Sequence, residues 1–176
     1  MADRHTGPMN MVDKAMDKIG GMLGKTKAGA VSRADDFVEN AAIGNRYEIE
    51  AAEIARKRTQ DQRIREFAEQ MIADHEHAKS ELASTLQTHP DAPNLPDALD
   101  ARRRSMLEHL EQAPGEEFDA RYAGQQDLAH QETVKLFENY AEEGDHPGLQ
   151  RFAKQMLPTL QQHLSRAKDL RDQTRH

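Results

Sequence analysis

Nine histidines, in a chain of 176 residues with no cysteine and no tryptophan, are the side chains best equipped for chemistry. Three of them, His75, His130 and His163, lie on apolar stretches of helical spacing, and Glu48 takes a similar place on an earlier stretch. Counted from the helix starts, His75 is roughly 14–15 residues in and His130 roughly 14, which is one level for parallel helices at 1.5 Å per residue. Glu48 and His163 also fall near the middle of their helices. Three imidazoles and one carboxylate converging at mid-bundle suit a single Zn²⁺, Fe²⁺, Mn²⁺ or Cu²⁺. Asp74 and Asp127 are near enough in sequence to orient the imidazoles from behind, Asp127 one turn before His130. Tyr47 and Tyr122 could line the same cavity. Met71 and Met156 are soft candidate ligands for copper, although methionine on a helix seam commonly fills core. The competing reading of the level is a buried polar network satisfied by hydrogen bonds alone.

The remaining histidines are read as solvated surface. His77 points away from the seam of His75, His89 and His146 stand beside prolines, His109 is on a short helix, and His5 and His176 are near the ends. Arg102-Arg103-Arg104 reads as a solvated basic face. The net charge of −7 argues against nucleic acid as the main partner. Without cysteine there is no disulfide, thiolate–zinc site, iron–sulfur cluster or thiol nucleophile. None of the motifs GxGxxG, GxxxxGK[ST], GxSxG or HExxH occurs.

The elements that must position these residues follow from periodicity. Residues 1–34 form an N-terminal segment, and 35–173 a helical bundle. Met9, Val12, Met16, Ile19 and Leu23 give the segment an amphipathic character that Gly20, Gly21 and Gly24 weaken. It reads as a loose tail or as a helix that docks to a partner or membrane surface. A first long helix starts near Asp35–Asp36, whose charges suit a helix N-terminus, and ends near Arg56–Thr59. Thr59 with Gln62 resembles a capping box for the second, whose seam runs Ile64, Phe67, Met71, His75, Ala78, Leu82, Leu86. Pro93 and Pro96 mark an extended linker, and Pro96 suits the first turn of a short third helix. A fourth helix runs from Glu116 to about Glu142. A fifth carries Leu149, Phe152, Met156, Leu160, His163, Ala167 and Leu170, with Pro158 expected to kink it one turn before His163.

Four long helices of about 23–28 residues measure roughly 35–42 Å each. The first and second, and the fourth and fifth, are joined by short links and form antiparallel hairpins. Residues 89–115 are long enough to run back along the bundle and set the second and fourth helices parallel. The expected fold is all-α: a ferritin-like four-helix bundle with a helix-containing crossover between its second and third bundle helices. A dinuclear iron centre is not expected. It needs a Glu from each of two helices and Glu-x-x-His on the other two, whereas Ile72 and Leu160 precede His75 and His163 by three.

At these residues the chain resembles the bacterial family catalogued as domain of unknown function 4142, within the ferritin-like superfamily. The resemblance runs from about Asp36 to Leu170. Phe37–Glu50, Phe67–Ala78, Phe118–Tyr122, His130 with Phe137, and Phe152–Leu164 carry it. It implies that Glu48, Asp74, His75, Asp119, Tyr122, His130, Leu157-Pro158 and His163 are the special positions, and it adds Asp119 and Tyr122 to the orienting set. Where the family often has Asp before its second His, this chain has Ala129. The resemblance implies a fold and a set of polar positions rather than a reaction.

Three functions fit. The first is a non-enzymatic, stress-associated protein binding one metal ion or small ligand at Glu48, His75, His130 and His163. The second is a mononuclear-metal redox enzyme handling peroxide or dioxygen. The third is a structural or interaction bundle with a buried polar network only. A homo-oligomer is left open. No stretch is apolar enough to span a membrane. No secretory signal opens the chain, so the expected compartment is the cytoplasm, with the periplasm second because many members of the family are exported.

Overall fold

The computed structural model describes residues 28–89 and 91–174, together with Asp17 and Gly20. Among these residues the structure is all-α, as expected, and contains no strand. Its helices are α1 (Ala34–Arg58), α2 (Gln62–Gln87), α3 (Ala101–Glu111), α4 (Gly115–Glu143) and α5 (Pro147–Gln173). Asp35 and Asp36 lie in the first turn of α1, where the helix dipole favours them.

Two apolar clusters give the directions of the helices. One holds Ala51 and Ala55 from the end of α1, Ile64 and Phe67 from the start of α2, Phe118 and Tyr122 from the start of α4, and Leu170 from the end of α5. The other holds Phe37 from the start of α1, Leu82 from the end of α2, Phe137 and Tyr140 from the end of α4, and Leu149 and Phe152 from the start of α5. Thus α1 pairs with α2 and α4 with α5 as antiparallel hairpins, while α2 and α4 run the same way. The crossover that carries α3 spans the bundle to allow this. His75, His130 and His163 lie between the two clusters in sequence on α2, α4 and α5, so a polar layer separates two apolar cores; on α1 Glu48 lies just inside the first cluster, between Tyr47 and Ala51.

The second core is built on aromatics. The Phe37 ring stacks on Tyr140 at 4.0 Å between centroids and meets Phe137 edge-on at 5.1 Å. Tyr140 is completely buried and donates its hydroxyl to Asp145 at 3.1 Å. Gly144 closes α4 against it. A Cβ at Gly144 would sit 2.5 Å from the Tyr140 carbonyl oxygen and 2.7 Å from its ring. Neither can retreat, because one is backbone and the other is stacked. Gly144→Ala is therefore expected to cost about 2 kcal/mol, read as a lower urea midpoint at unchanged slope.

Several local expectations are corrected. The cap of α2 is Asp61, which accepts from the Arg63 amide at 2.8 Å; Thr59 instead accepts from the Asp61 amide at 3.1 Å. Asp is the better acceptor one residue before the first turn. Pro96 lies outside α3, which starts five residues later behind Asp100, the acceptor for the Arg103 amide at 2.7 Å. Arg102 and Arg103 are not a solvated face. Both reach across to α4 and grip Glu132, Arg103 at 2.5 Å, and Arg103 and Glu132 are 7% and 6% exposed.

Of the histidines read as surface, His77 is exposed. His89, His109 and His146 are half-buried and engaged. His146 caps α5, accepting from the Leu149 amide at 3.3 Å, and stacks edge-on with His89 at 4.8 Å. His109 faces Asp17 at 3.1 Å. His5 and His176 lie outside the described residues. So does most of the N-terminal segment, although Asp17 is buried and accepts from Gln125 of α4 at 2.9 Å. Pro158 stands on the exposed side of a helix that continues through it.

Candidate metal centre

Each long helix delivers its polar residue to the layer because the flanking apolar seam fixes its rotation. Met71 and Ala78 bury the face of α2 that carries His75; Leu160 and Ala167 do the same for His163 on α5. The three imidazoles are buried, at most 2% exposed. Their ring centroids form a near-equilateral triangle, 5.7 Å from His75 to His130 and 5.4 Å on the other two sides. One ring nitrogen from each lies within 4.8 Å of the other two.

The outer nitrogen of each ring is held by an oxygen. His75 Nδ1 donates to Asn45 Oδ1 at 2.8 Å, His130 Nδ1 to the Gln126 carbonyl at 2.9 Å, and His163 Nε2 to Asp74 Oδ2 at 2.8 Å. These acceptors fix the tautomers, since a neutral imidazole has one N–H. The lone pairs are then on His75 Nε2, His130 Nε2 and His163 Nδ1, and all three of these atoms are buried without a partner. Metal-binding imidazoles show this pattern, an oriented outer N–H and a free inner nitrogen. One buried water offers two hydrogens and leaves a third lone pair unmet, whereas one cation meets all three.

The electrostatics agree. Burial, followed by the charges of His130 and His163, pushes His75 well below the ordinary imidazole range. Burial, then His130, lowers His163 to about 4 against the opposing pull of Asp74. Both rings are therefore neutral at pH 7, with lone pairs available. A stability consequence follows for the metal-free protein. The unfolded chain protonates His163 near pH 6.5 while the fold resists until about 4, so stability is lost as pH falls through that interval. His163 accounts for about 3 kcal/mol of that loss at most, and His75, lowered in the same direction, adds to it. Urea midpoints at pH 7 and pH 4.5 should show the sum, and His163→Gln should reduce the difference without abolishing it. The titratable and charged groups facing His163 are His75, His130, Asp74 and Arg166.

Glu48 stands beside the triangle rather than within it. Its Oε2 accepts from Gln126 Nε2 at 2.7 Å, and its unpartnered Oε1 is 3.8 Å from His130 Nδ1. Burial raises its pKa, with His130 and Gln126 opposing. Tyr122 is buried with its hydroxyl unpartnered, its pKa raised by burial and then by Glu48. Tyr47 donates to Gln125 at 3.0 Å, away from the rings. Asp74 bonds the imidazole of α5 rather than its sequence neighbour. Asp127 pairs with Arg171 and accepts from Gln131 at 2.9 Å, leaving His130 to the Gln126 carbonyl. Asp119 is half-buried, and one of its oxygens has no partner. Met71 is core filling, packed in the first apolar cluster. Met156 lines a cavity of about 20 Å³ between α2 and α5, with Asn45, Asp74, His75 and His163 around it. That volume admits about one water.

Asn45 and Gln126 are the residues that sequence reasoning missed. The available signal was a carboxamide on a buried helix face: Asn45 beside Ala41, Ala52 and Ala55 on α1, and Gln126 between Tyr122 and His130 on α4. No helix among the described residues is long and apolar enough to cross a membrane. No curated protein and no solved structure matches the chain. Residues 22–170 match the family described as "Domain of unknown function (DUF4142)", and the chain belongs to that family.

Proposed function

We propose that the protein binds one transition-metal ion in the middle of its bundle, with His75, His130 and His163 as ligands. The observation that carries the reading is the set of three inner nitrogens, each buried, each unpartnered and each opposed to an oriented N–H. A tetrahedral ion with nitrogens at 2.0–2.1 Å needs them about 3.3 Å apart, so nitrogens now within 4.8 Å of one another draw inward on binding. Nitrogen-only ligands favour Zn²⁺, Cu²⁺ or Fe²⁺ over Mg²⁺ or Ca²⁺. Glu48 contributes a buried carboxylate beside the cation, which offsets part of its charge. Asp74, Asn45 and the Gln126 carbonyl hold the rings.

Elemental analysis of untagged protein tests this. About one equivalent of zinc, copper, iron or manganese is expected after loading and desalting. The folded state should gain about 2.7 kcal/mol when the free ion is 100-fold above its Kd. A protein that carries no metal, and whose melting temperature ignores all four ions, overturns the proposal.

A further inference from the structure

The three imidazoles are buried, so an ion that reaches them must pass between two helices. Three observations fall on the seam between α2 and α5. The cavity of about 20 Å³ there is lined by the buried His75 and His163 and also by Thr159, an exposed residue of α5. It therefore joins the surface to two of the three rings.

Asp74 lines the same cavity, and its side chain is 34% exposed. Of the groups that hold the outer ring nitrogens, it alone is charged and open to water; Asn45 and Gln126 are both buried. Its hydrogen bonds from His163 Nε2 at 2.8 Å and Gln70 Nε2 at 3.2 Å both fall on Oδ2, so Oδ1 keeps its lone pairs. The third observation is the wall. Met156, Thr159 and Leu160 belong to the stretch of α5 around Pro158. Proline has no amide hydrogen for the Lys154 carbonyl, so α5 lacks one rung beside the cavity. A turn short of a rung opens at lower cost than its neighbours.

We infer that a divalent cation enters between α2 and α5, drawn first to the Asp74 carboxylate and admitted by the α5 turn at Pro158. The inference rests on the reading of the three imidazoles as a metal site. His163 joins the two stations: its Nε2 is bonded to Asp74, and its Nδ1 belongs to the triangle.

Zinc uptake and release, timed on the full chain against a chromophoric chelator, test the route. Thr159→Phe, at an exposed position where folding is not at stake, should slow both by about tenfold and leave the dissociation constant unchanged. Pro158→Ala restores the rung and should slow both in equal proportion. Asp74→Asn should slow uptake about fivefold at low salt and not at about 1 M, the effect of one charge about 4 Å from the ion in water. A residue that only held the ring would change release and leave uptake alone. Lys135→Phe, on the exposed face of α4, should keep the parental rates. Parental rates in Thr159→Phe or Pro158→Ala, unchanged uptake in Asp74→Asn, or equal slowing in Lys135→Phe overturns the entry route while the metal site stands. A parent chain that takes up no zinc, copper, iron or manganese overturns the metal site and the route with it.

Discussion

His163→Ala is expected to lower zinc affinity by more than about a hundredfold, and His75→Ala with His163→Ala to remove stoichiometric metal altogether. The magnitude follows from rank. Losing a group that only orients a metal-bound imidazole costs about 10–100-fold, so losing an imidazole costs more. Asp74→Ala is accordingly expected inside that range, because it frees the His163 Nε2–H that it now accepts at 2.8 Å. Asp127→Ala should leave affinity alone, since its partners are Arg171 and Gln131. The stability of the metal-free forms supplies the discriminating measurement. Three inner lone pairs face one another unmet, so replacing one buried ring with leucine relieves that conflict while filling most of its volume. His163→Leu should then cost the metal-free protein under about 1 kcal/mol while abolishing stabilisation by zinc. A purely structural network predicts the reverse: a large loss of stability and no metal to lose. Isothermal titration and urea unfolding on the same preparations separate the two.

The limits of the sequence reading have a geometric origin. Counting residues along a helix gives axial level, and the level of His75, His130 and His163 was legible because each rises 1.5 Å per residue from a recognisable start. Rotation about the axis is less forgiving, at about 100° per residue. Glu48 was placed with the imidazoles by level, yet its carboxylate lies beside them, bonded to Gln126. Asn45, three residues earlier, is the group of α1 that accepts a hydrogen bond from a ring, at 2.8 Å. Partners between helices were illegible for a different reason. Asp74 adjoins His75 in sequence but serves His163, 89 residues away. Arg102 and Arg103 look solvated beside their own neighbours, and only packing of α3 on α4 supplies Glu132, 30 and 29 residues on. The hairpins and the crossover, by contrast, were legible because long amphipathic periods and short links leave few alternatives.

Arg103→Met is expected to destabilise the protein by about 3 kcal/mol. Arg103 and Glu132 are both nearly dry, so their attraction is little screened, but neither charge was cheap to bury. Removing Arg103 leaves Glu132 with Arg102 alone, whose side chain is 29% exposed and partly shielded by water. The penalty is therefore the cost of a buried carboxylate left half-neutralised, and it belongs at the low end of the range for broken buried pairs. Arg103→Met combined with Glu132→Leu removes both charges and should recover most of the loss, because apolar groups of similar size satisfy the same space. The short α3 retains Met106, Leu107 and Leu110 in the core, so its amides should exchange faster in the single variant without α3 unfolding. Zinc affinity should not change, since Glu132 faces α3 rather than the rings. A single variant within about 0.5 kcal/mol of the parent would mean that the pair is worth no more than a surface one. The crossover would then be held by its three apolar anchors alone.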